Sequence, residues 1–224
     1  GERTVAREPV GDKDNSVVGE RTLAWASVRE CHPNGSGDTA SVRGRYTGNP
    51  AGRARSDIVL LTARLILLPL TRFDEAQHAR ASNDAADALR DTRAAEIQWE
   101  EHGFGPWAIR DRGDDCFLGG AELRFAGAGI EGIAPDEVEA GWWVTANRRN
   151  EGIATEAMQA AVADLWTRTD VDSITAYIED GENEPSRRLA VKLGFTVRGP
   201  GRGRSGEPMT VYELRRDTRH RRDL

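Results

Sequence analysis

Lysine is almost absent from this chain of 224 residues: Lys13 and Lys192 are its only two, so arginine carries the positive charge. Positive charge is itself in deficit, at a formal net −6, which argues against a general nucleic-acid binder. Cysteine is as scarce. Cys31 and Cys116 form no metal-ligand spacing and supply no disulfide framework, so no metal is expected and a reducing cytoplasm is the expected setting. No apolar run reaches membrane length. The strongest, residues 58–70, carries Arg64 and ends at Pro69-Leu70, which is too short for a span. Residues 1–56 lack any durable hydrophobic period. Gly, Pro, Asn, Asp, Ser and Arg dominate there, as in Pro33-Asn34-Gly35-Ser36-Gly37-Asp38, and such a stretch buries too little surface to offset its chain entropy. It is expected to be a disordered extension with local structure around residues 22–29. It has no apolar segment flanked by a cleavage site and so is no secretory signal. Opening on Gly1, the chain is expected to be a fragment, a processed product or an expressed piece. The remainder is long enough for one domain with a core.

What the chain does have is a strand that runs through a polar turn into a helix, over residues 138–157. Val138, Ala140, Trp142 and Val144 alternate with Glu139, Gly141 and Trp143, as a strand requires. Thr145 to Asn150 is polar. Then Ala154, Ala157, Met158, Ala161, Val162, Leu165 and Trp166 recur at three- and four-residue steps, one face of a helix. In the turn between them, Gly152 has no Cβ to obstruct a close approach. The first N–H groups of the helix lack intrahelical partners, and its dipole adds partial positive charge there. Strand, small-residue turn and helix N-terminus together make a natural anion site, most simply for a phosphate. The same residues also fit an ordinary β-to-α turn.

The run Arg149-x-x-Gly152-x-Ala154 resembles the acetyl-CoA pyrophosphate signature of the GNAT N-acetyltransferases, Gln/Arg-x-x-Gly-x-Gly/Ala. The following Thr155-Glu156-Ala157 resembles the subgroup that includes the ribosomal-protein N-terminal acetyltransferases. Farther along, Asn183-Glu184-Pro185-Ser186 through Leu193-Gly194-Phe195 resembles the second signature of the family. Read without the resemblance, that segment is a well-capped surface helix: Asn183 suits an N-cap, Pro185 lies just inside, and Gly194 is a natural left-handed C-cap.

The rest of the chain agrees in order. Residues 58–70 read as a buried strand broken near Thr62, and residues 62–70 resemble the usual first strand of this subgroup. Thr71 can cap a helix with Asp74 three residues on. Helices are expected over residues 73–81 and 85–101, strands over 107–110, 116–125 and 172–178, and a final antiparallel pair around Val197 and residues 209–214. His102 lies at a helix end, where capping, a surface position and catalysis all remain open. Gly127-Ala128-Gly129-Ile130-Glu131-Gly132 matches a dinucleotide fingerprint, but the next strand follows with no room for the crossover helix that motif requires. Residues 217–224 read as a basic, solvated tail.

The resemblance implies the α/β (α+β) GNAT fold over residues 57–216: a mixed, mostly antiparallel sheet with flanking helices and a V-shaped cleft. It implies acetyl transfer from acetyl-CoA to a primary amine, on a protein N-terminus or a small molecule, by a monomer or homodimer with no membrane attachment. The pantetheine arm would pair with Trp143, Val144 and Thr145. The pyrophosphate would sit on the N–H groups of Arg149, Asn150, Glu151, Gly152, Ile153, Ala154 and Thr155, with Arg148 and Arg149 adding charge or facing solvent. Asn183 and Ser186 would also touch the cofactor. Glu139 stands where the subgroup usually carries a Glu and is the candidate base; a solvated or hairpin-paired Glu139 is the alternative. The Tyr that many members use as the acid has Ala190 in its place, so the acid is unassigned. A chain that binds acyl-CoA without turnover, for sensing or assembly, is the second class of function.

Overall fold

The computed structural model describes residues 58–82, 85–181 and 183–217. The expected extension, Cys31 and all but the first residue of the expected tail lie outside the described residues. Alternating and helical periods resolve into β1 (Leu60–Leu61), β2 (Leu65–Pro69), α1 (Glu75–Ser82), α2 (Ala85–His102), β3 (Trp107–Asp111), β4 (Phe117–Phe125), β5 (Val138–Val144), α3 (Ile153–Arg168), β6 (Ser173–Glu179), α4 (Glu184–Leu193), β7 (Thr196–Arg202) and β8 (Pro208–Arg215). The strands form one sheet in the order β1-β2-β3-β4-β5-β6-β8-β7. Every neighbouring pair is antiparallel except β5 and β6, which are parallel. α3 is the long connection that a parallel pair needs. No described helix is long and apolar enough to cross a membrane.

The apolar run of residues 58–70 does break near Thr62, and the break is a reversal of direction. It folds back at Thr62–Arg64 into the antiparallel pair β1–β2, which leaves Leu61 on the sheet edge at 61% exposure while Leu67 is wholly buried. Thr71 then caps a single 3-10 turn, Arg72–Asp74, in a capping box: its Oγ1 accepts from Phe73 N–H, and Asp74 accepts from Thr71 N–H at 3.1 Å. Asp74 also binds Arg110 of β3 at 2.9 Å, tying this turn to the sheet.

Alternation along the strands divides the core between two faces. Leu65, Leu67, Trp107, Ile109, Val138, Ala140, Ile174 and Ala176 join Ile153, Ala157, Met158, Ala161 and Leu165 of α3 in the main cluster. The other face carries Ala108, Phe117 and Trp143 against Ala95 of α2 and Leu70, with His78 of α1 stacked on the Trp143 ring at 4.9 Å. Trp142 turns the opposite way, toward Phe195. The adjacent tryptophans therefore serve different layers, as strand geometry dictates. Trp143 needs the Gly119-Gly120 pair on β4. A Cβ at Gly119 would lie 2.2 Å from the Trp143 carbonyl oxygen, and one at Gly120 would lie 2.6 Å from its Nε1.

Residues 126–137 join β4 to β5 without a helix, and the two strands pair directly from Phe125↔Val138 to Gly119↔Val144. Gly127, Gly129 and Gly132 there sit at positive φ, and Ile130 and Ile133 pack on Val211 of β8. The glycines serve a loop that folds over the sheet.

Candidate active site

The parallel strands β5 and β6 share only two registered pairs, Val138↔Ile174 and Glu139↔Thr175. Beyond Glu139 they part, and the gap between them is the V-shaped cleft. Backbone polarity along β5 alternates. Ala126 N–H donates to Glu137 O at 2.9 Å and Thr145 N–H donates to Leu118 O at 2.8 Å, so the odd-numbered residues between them also address β4. The even-numbered ones face β6: the Val138 carbonyl accepts the Thr175 hydroxyl at 3.2 Å. The Glu139↔Thr175 pair takes the Ala140 N–H for β6, so past the parting the Ala140 carbonyl and the backbone groups of Trp142 and Val144 open into the cleft.

At the mouth of the cleft β5 gives way to a 3-10 turn, Ala146–Arg148, and then to α3. Asn150 at φ 65° and Gly152 at φ 78° both adopt left-handed backbone. Asn tolerates that region and Gly enters it without strain. Gly152 takes the N-cap place with no side-chain bond. Among the described residues nothing accepts from the N–H groups of Gly152, Ile153, Ala154 and Thr155. These donors and the positive end of α3 point the same way, out of the helix start.

A clasp holds this helix start from behind. Glu156 accepts from Thr62 Oγ1 at 2.5 Å, from Arg64 N–H at 3.1 Å and from Arg64 Nε at 2.8 Å. Arg64 Nη1 also donates to the Glu151 carbonyl at 3.0 Å. Burial pulls the Glu156 pKa upward, but the bonds from Thr62 and Arg64 outweigh it, and the carboxyl sits below its ordinary value.

At the base of the V, on the α1–α2 side, Glu139 is 3% exposed. Its Oε1 accepts from Arg124 Nε at 3.2 Å and Nη2 at 3.0 Å across the β4–β5 ladder. Its Oε2 is buried with no hydrogen-bond partner and lies 4.0 Å from Arg204 Nη2. Arg204, in the β7–β8 turn, also donates to the Tyr177 hydroxyl at 3.2 Å and to the Ala126 carbonyl. Burial raises the Glu139 pKa, and the pull of Arg124 and Arg204 only partly offsets it. A buried carboxyl with a raised pKa and one vacant oxygen can take a proton from a partner placed against it.

A family described as the acetyltransferase (GNAT) domain matches residues 64–196, which contain the cleft, the helix start and Glu139. The chain belongs to the GNAT acetyltransferase family. No curated protein matches its sequence. Among solved structures it is similar to a GnaT-family acetyltransferase from Bordetella pertussis, at 28% identity and TM-score 0.61 over 70% of this chain and 98% of that one. It also resembles the ribosomal-protein-S5-alanine acetyltransferase of Vibrio fischeri, at 12% identity and TM-score 0.57 over 72% and 98%. The Microcin C7 self-immunity acetyltransferase MccE, in complex with acetyl-CoA and AMP, aligns at 15% identity and TM-score 0.51 over 69% and 94%. These last two likenesses speak to the fold.

Within this GNAT domain the sequence-predicted residues divide. Gly152, Ile153, Ala154 and Thr155 come together as donors at one helix end. The Ile153 side chain is buried in the core, so its backbone alone faces the cleft. Trp143 and Thr145 do not present backbone groups to the cleft: the Thr145 N–H is committed to Leu118 and the Trp143 carbonyl points at Gly119. Of the three expected pantetheine partners only Val144 faces it, and Arg149 Nε already donates to that carbonyl at 3.3 Å. The one-residue offset follows from which residues the β4 ladder claims. Arg148 turns away to Asp111 at 3.2 Å and Glu151 at 3.0 Å. Asn183 stands at the N-cap of α4, but its side chain makes no cap bond, so its amide is not spent on the helix. Ser186 is half-buried one turn on. Ala190 is wholly buried and leaves no space for a phenol. His102 is an exposed helix end packed edge-on against Phe125 at 4.8 Å. Reading the sequence missed Ala140 and Trp142, the clasp from Arg64, and Arg124, Arg204 and Tyr177 around Glu139. Only the β4–β5 register could have flagged Arg124, since it stands directly across from Glu139. Among the described residues no group of His, Cys, Asp and Glu is arranged to hold a metal.

Proposed function

We propose that the chain transfers an acetyl group from acetyl-CoA to a primary amine, with acetyl-CoA held in the β5–β6 cleft and Glu139 as the base. The observation that carries this reading is the two-pair contact between β5 and β6, which ends at Glu139 and opens toward a helix start with unclaimed donors. The N–H groups of residues 151–155 suit a pyrophosphate. The exposed edge of Ala140, Trp142 and Val144 suits an amide-bearing arm that pairs like a strand. Asn183 and Ser186 at the start of α4, and the exposed Arg149, are the proposed outer contacts.

In the reaction the neutral amine attacks the thioester carbonyl. Glu139 removes the proton, directly or through one water, at its vacant Oε2. A cleft-facing N–H of β5 stabilises the developing oxyanion. The C–S bond then breaks. CoA leaves as the thiolate, a tolerable leaving group because of its low pKa, and Ala190 needs no replacement acid. The cytoplasm is the proposed setting, as a monomer or homodimer, and the 57–216 region is proposed to act as one catalytic domain.

Titration calorimetry of the full chain with acetyl-CoA, CoA and NADH tests the first half. Binding of both CoA species and not NADH is expected; no binding of either CoA species would remove the cofactor and every site residue with it. Binding without acetylation of any amine would favour a sensing or assembly role.

A further inference from the structure

The turn between β7 and β8 closes on its own bonds. Gly203 N–H donates to the Glu207 carbonyl at 2.9 Å, Gly206 N–H to the Gly203 carbonyl at 2.9 Å, and Ser205 N–H to the Glu207 carboxylate at 3.0 Å. None of these bonds uses the side chain of Arg204, which runs inward instead. It passes Gly129 of the 126–137 loop, where a Cβ would lie 3.7 Å from Arg204 Cγ. Its guanidinium donates to the Ala126 carbonyl, just past β4, and to the Tyr177 hydroxyl of β6 at 3.2 Å.

Those two anchors leave Arg204 Nη2 at 4.0 Å from Glu139 Oε2. That is too long for a hydrogen bond, yet close enough for an opposite charge to favour a carboxylate. The two arginines beside Glu139 therefore act differently. Arg124 commits two N–H groups to Oε1 and fixes the carboxyl. Arg204 supplies charge and leaves the buried, unpartnered Oε2 open to a proton. Other charges surround the pair. Glu122 of β4 lies 3.8 Å from Arg124, which it shares with Glu139. Asp91 of α2 lines a hollow together with Glu122, Arg124 and Arg204. His78 of α1 stacks on Trp143, farther along the same face of β5. Among the described residues Glu139 is the one carboxylate within ion-pair range of Arg204, so this guanidinium is not divided as Arg124 is.

We infer that Arg204 is a positioning residue of the acetyl transfer: anchored by Ala126 and Tyr177, it keeps Glu139 ionised for the incoming amine without occupying the oxygen that takes the proton. This rests on the reading of Glu139 as the base. Without Arg204, burial and Glu122 oppose the carboxylate and Arg124 alone sustains it, so Glu139 should protonate at a higher pH.

The first arm of the test is an NMR titration of the full chain with carbon-13 at the glutamate carboxyls. The Glu139 signal is identified by its loss in Glu139→Gln. Arg204→Gln should move its midpoint upward. Arg204→Lys, which keeps the charge, should move it less, and Tyr177→Phe, which removes one anchor, should move it the same way by a smaller step. Glu156, held by its own clasp, should not move.

The second arm follows CoA release from acetyl-CoA with glycinamide, tyramine and spermidine, corrected to the neutral-amine fraction. Arg204→Gln should lose about three- to tenfold in kcat/KM on the acid side of the profile, as a nearly half-exposed charge at the weak end of its range would give. The alkaline plateau and acetyl-CoA affinity should hold. A merely structural role would lower the rate at every pH and leave the Glu139 midpoint in place, and either result would overturn the inference. An acid limb that vanishes in Glu139→Gln but stays put in Arg204→Gln would sink it while sparing the base. Acetylation of none of the three amines by a chain that binds acetyl-CoA would overturn it too, leaving the cofactor reading standing. Failure to bind acetyl-CoA at all would bring down both.

Discussion

Glu139 is held by two opposed effects, and its titration reports which prevails. Burial disfavours the carboxylate, Arg124 and Arg204 favour it, and the net shift is upward. If this carboxylate accepts the amine's proton, kcat/KM falls as it protonates. The acid limb of the pH profile should then lie above the range of an ordinary glutamate. Glu139→Gln should lower kcat by about 10²–10⁴-fold and abolish that limb while leaving acetyl-CoA affinity intact in calorimetry. An unchanged rate would remove Glu139 from the mechanism. The linked effect on stability has a definite sign. A carboxyl whose folded pKa is raised favours the fold below its unfolded pKa, and that advantage is lost as pH rises through the folded pKa. At neutral pH the ionised Glu139 is therefore a net cost, and the variant should be no less stable there. This residue was legible in the sequence through its place on β5. Its partners were not: pairing Arg124 with it needs the length and path of the 126–137 loop, and Arg204 arrives from a turn some 65 positions later, a separation of the kind no local period encodes.

The helix start of α3 is the element on which the proposed anion site depends, and it is shaped from outside. Arg64 bonds both the carbonyl of Glu151, just before the turn's glycine, and the side chain of Glu156, in the first turn of the helix. It thereby spans the turn. Arg64 is half-exposed, so as a surface pair it adds little global stability; its effect should be on the turn's geometry. Arg64→Ala should raise KM for acetyl-CoA about three- to tenfold with kcat nearly unchanged, the mark of lost ground-state binding. Arg64→Lys, which can keep one of the bonds, should restore part of it. A fall in kcat alone would sink this role. Since the Glu156 pKa is depressed, the clasp holds above the ordinary glutamate range and is lost as pH falls through the lower, folded value. The turn itself was readable, because Gly152 at a change from alternating to helical period announces it. The clasp was not. Residues 58–70 read as a strand broken near Thr62, but nothing local says that the break is a reversal that brings Arg64 to α3.

At the scale of the whole molecule, one sheet is completed by two strands that barely touch. The order of motifs along the chain was enough to expect this sheet and its cleft. The insertion of β8 between β6 and β7 was not readable, since local alternation says that a strand exists but not which neighbour it takes. Nor could alternation say which residues of β5 the β4 ladder would claim, and there the expectation for Trp143 and Thr145 failed. The partition makes a sharp test. A ligand that binds only the folded state at one hundred times its Kd adds about 2.7 kcal/mol, worth roughly 5–11 °C in melting temperature for a domain of this size. Acetyl-CoA should produce such a rise and NADH none. That shift alone would not locate the ligand, because global stabilisation slows hydrogen exchange wherever exchange requires unfolding. The cleft edge differs. The N–H groups of Trp142 and Val144 have no strand opposite them, so they should exchange fast in the free chain and slow strongly with acetyl-CoA. Those of Gly141, Trp143 and Thr145, already bonded to β4, should change far less. Residue-resolved exchange should therefore show protection at every second position of β5. Uniform protection along the strand would mean that the arm lies elsewhere and that the cleft is stabilised only from a distance.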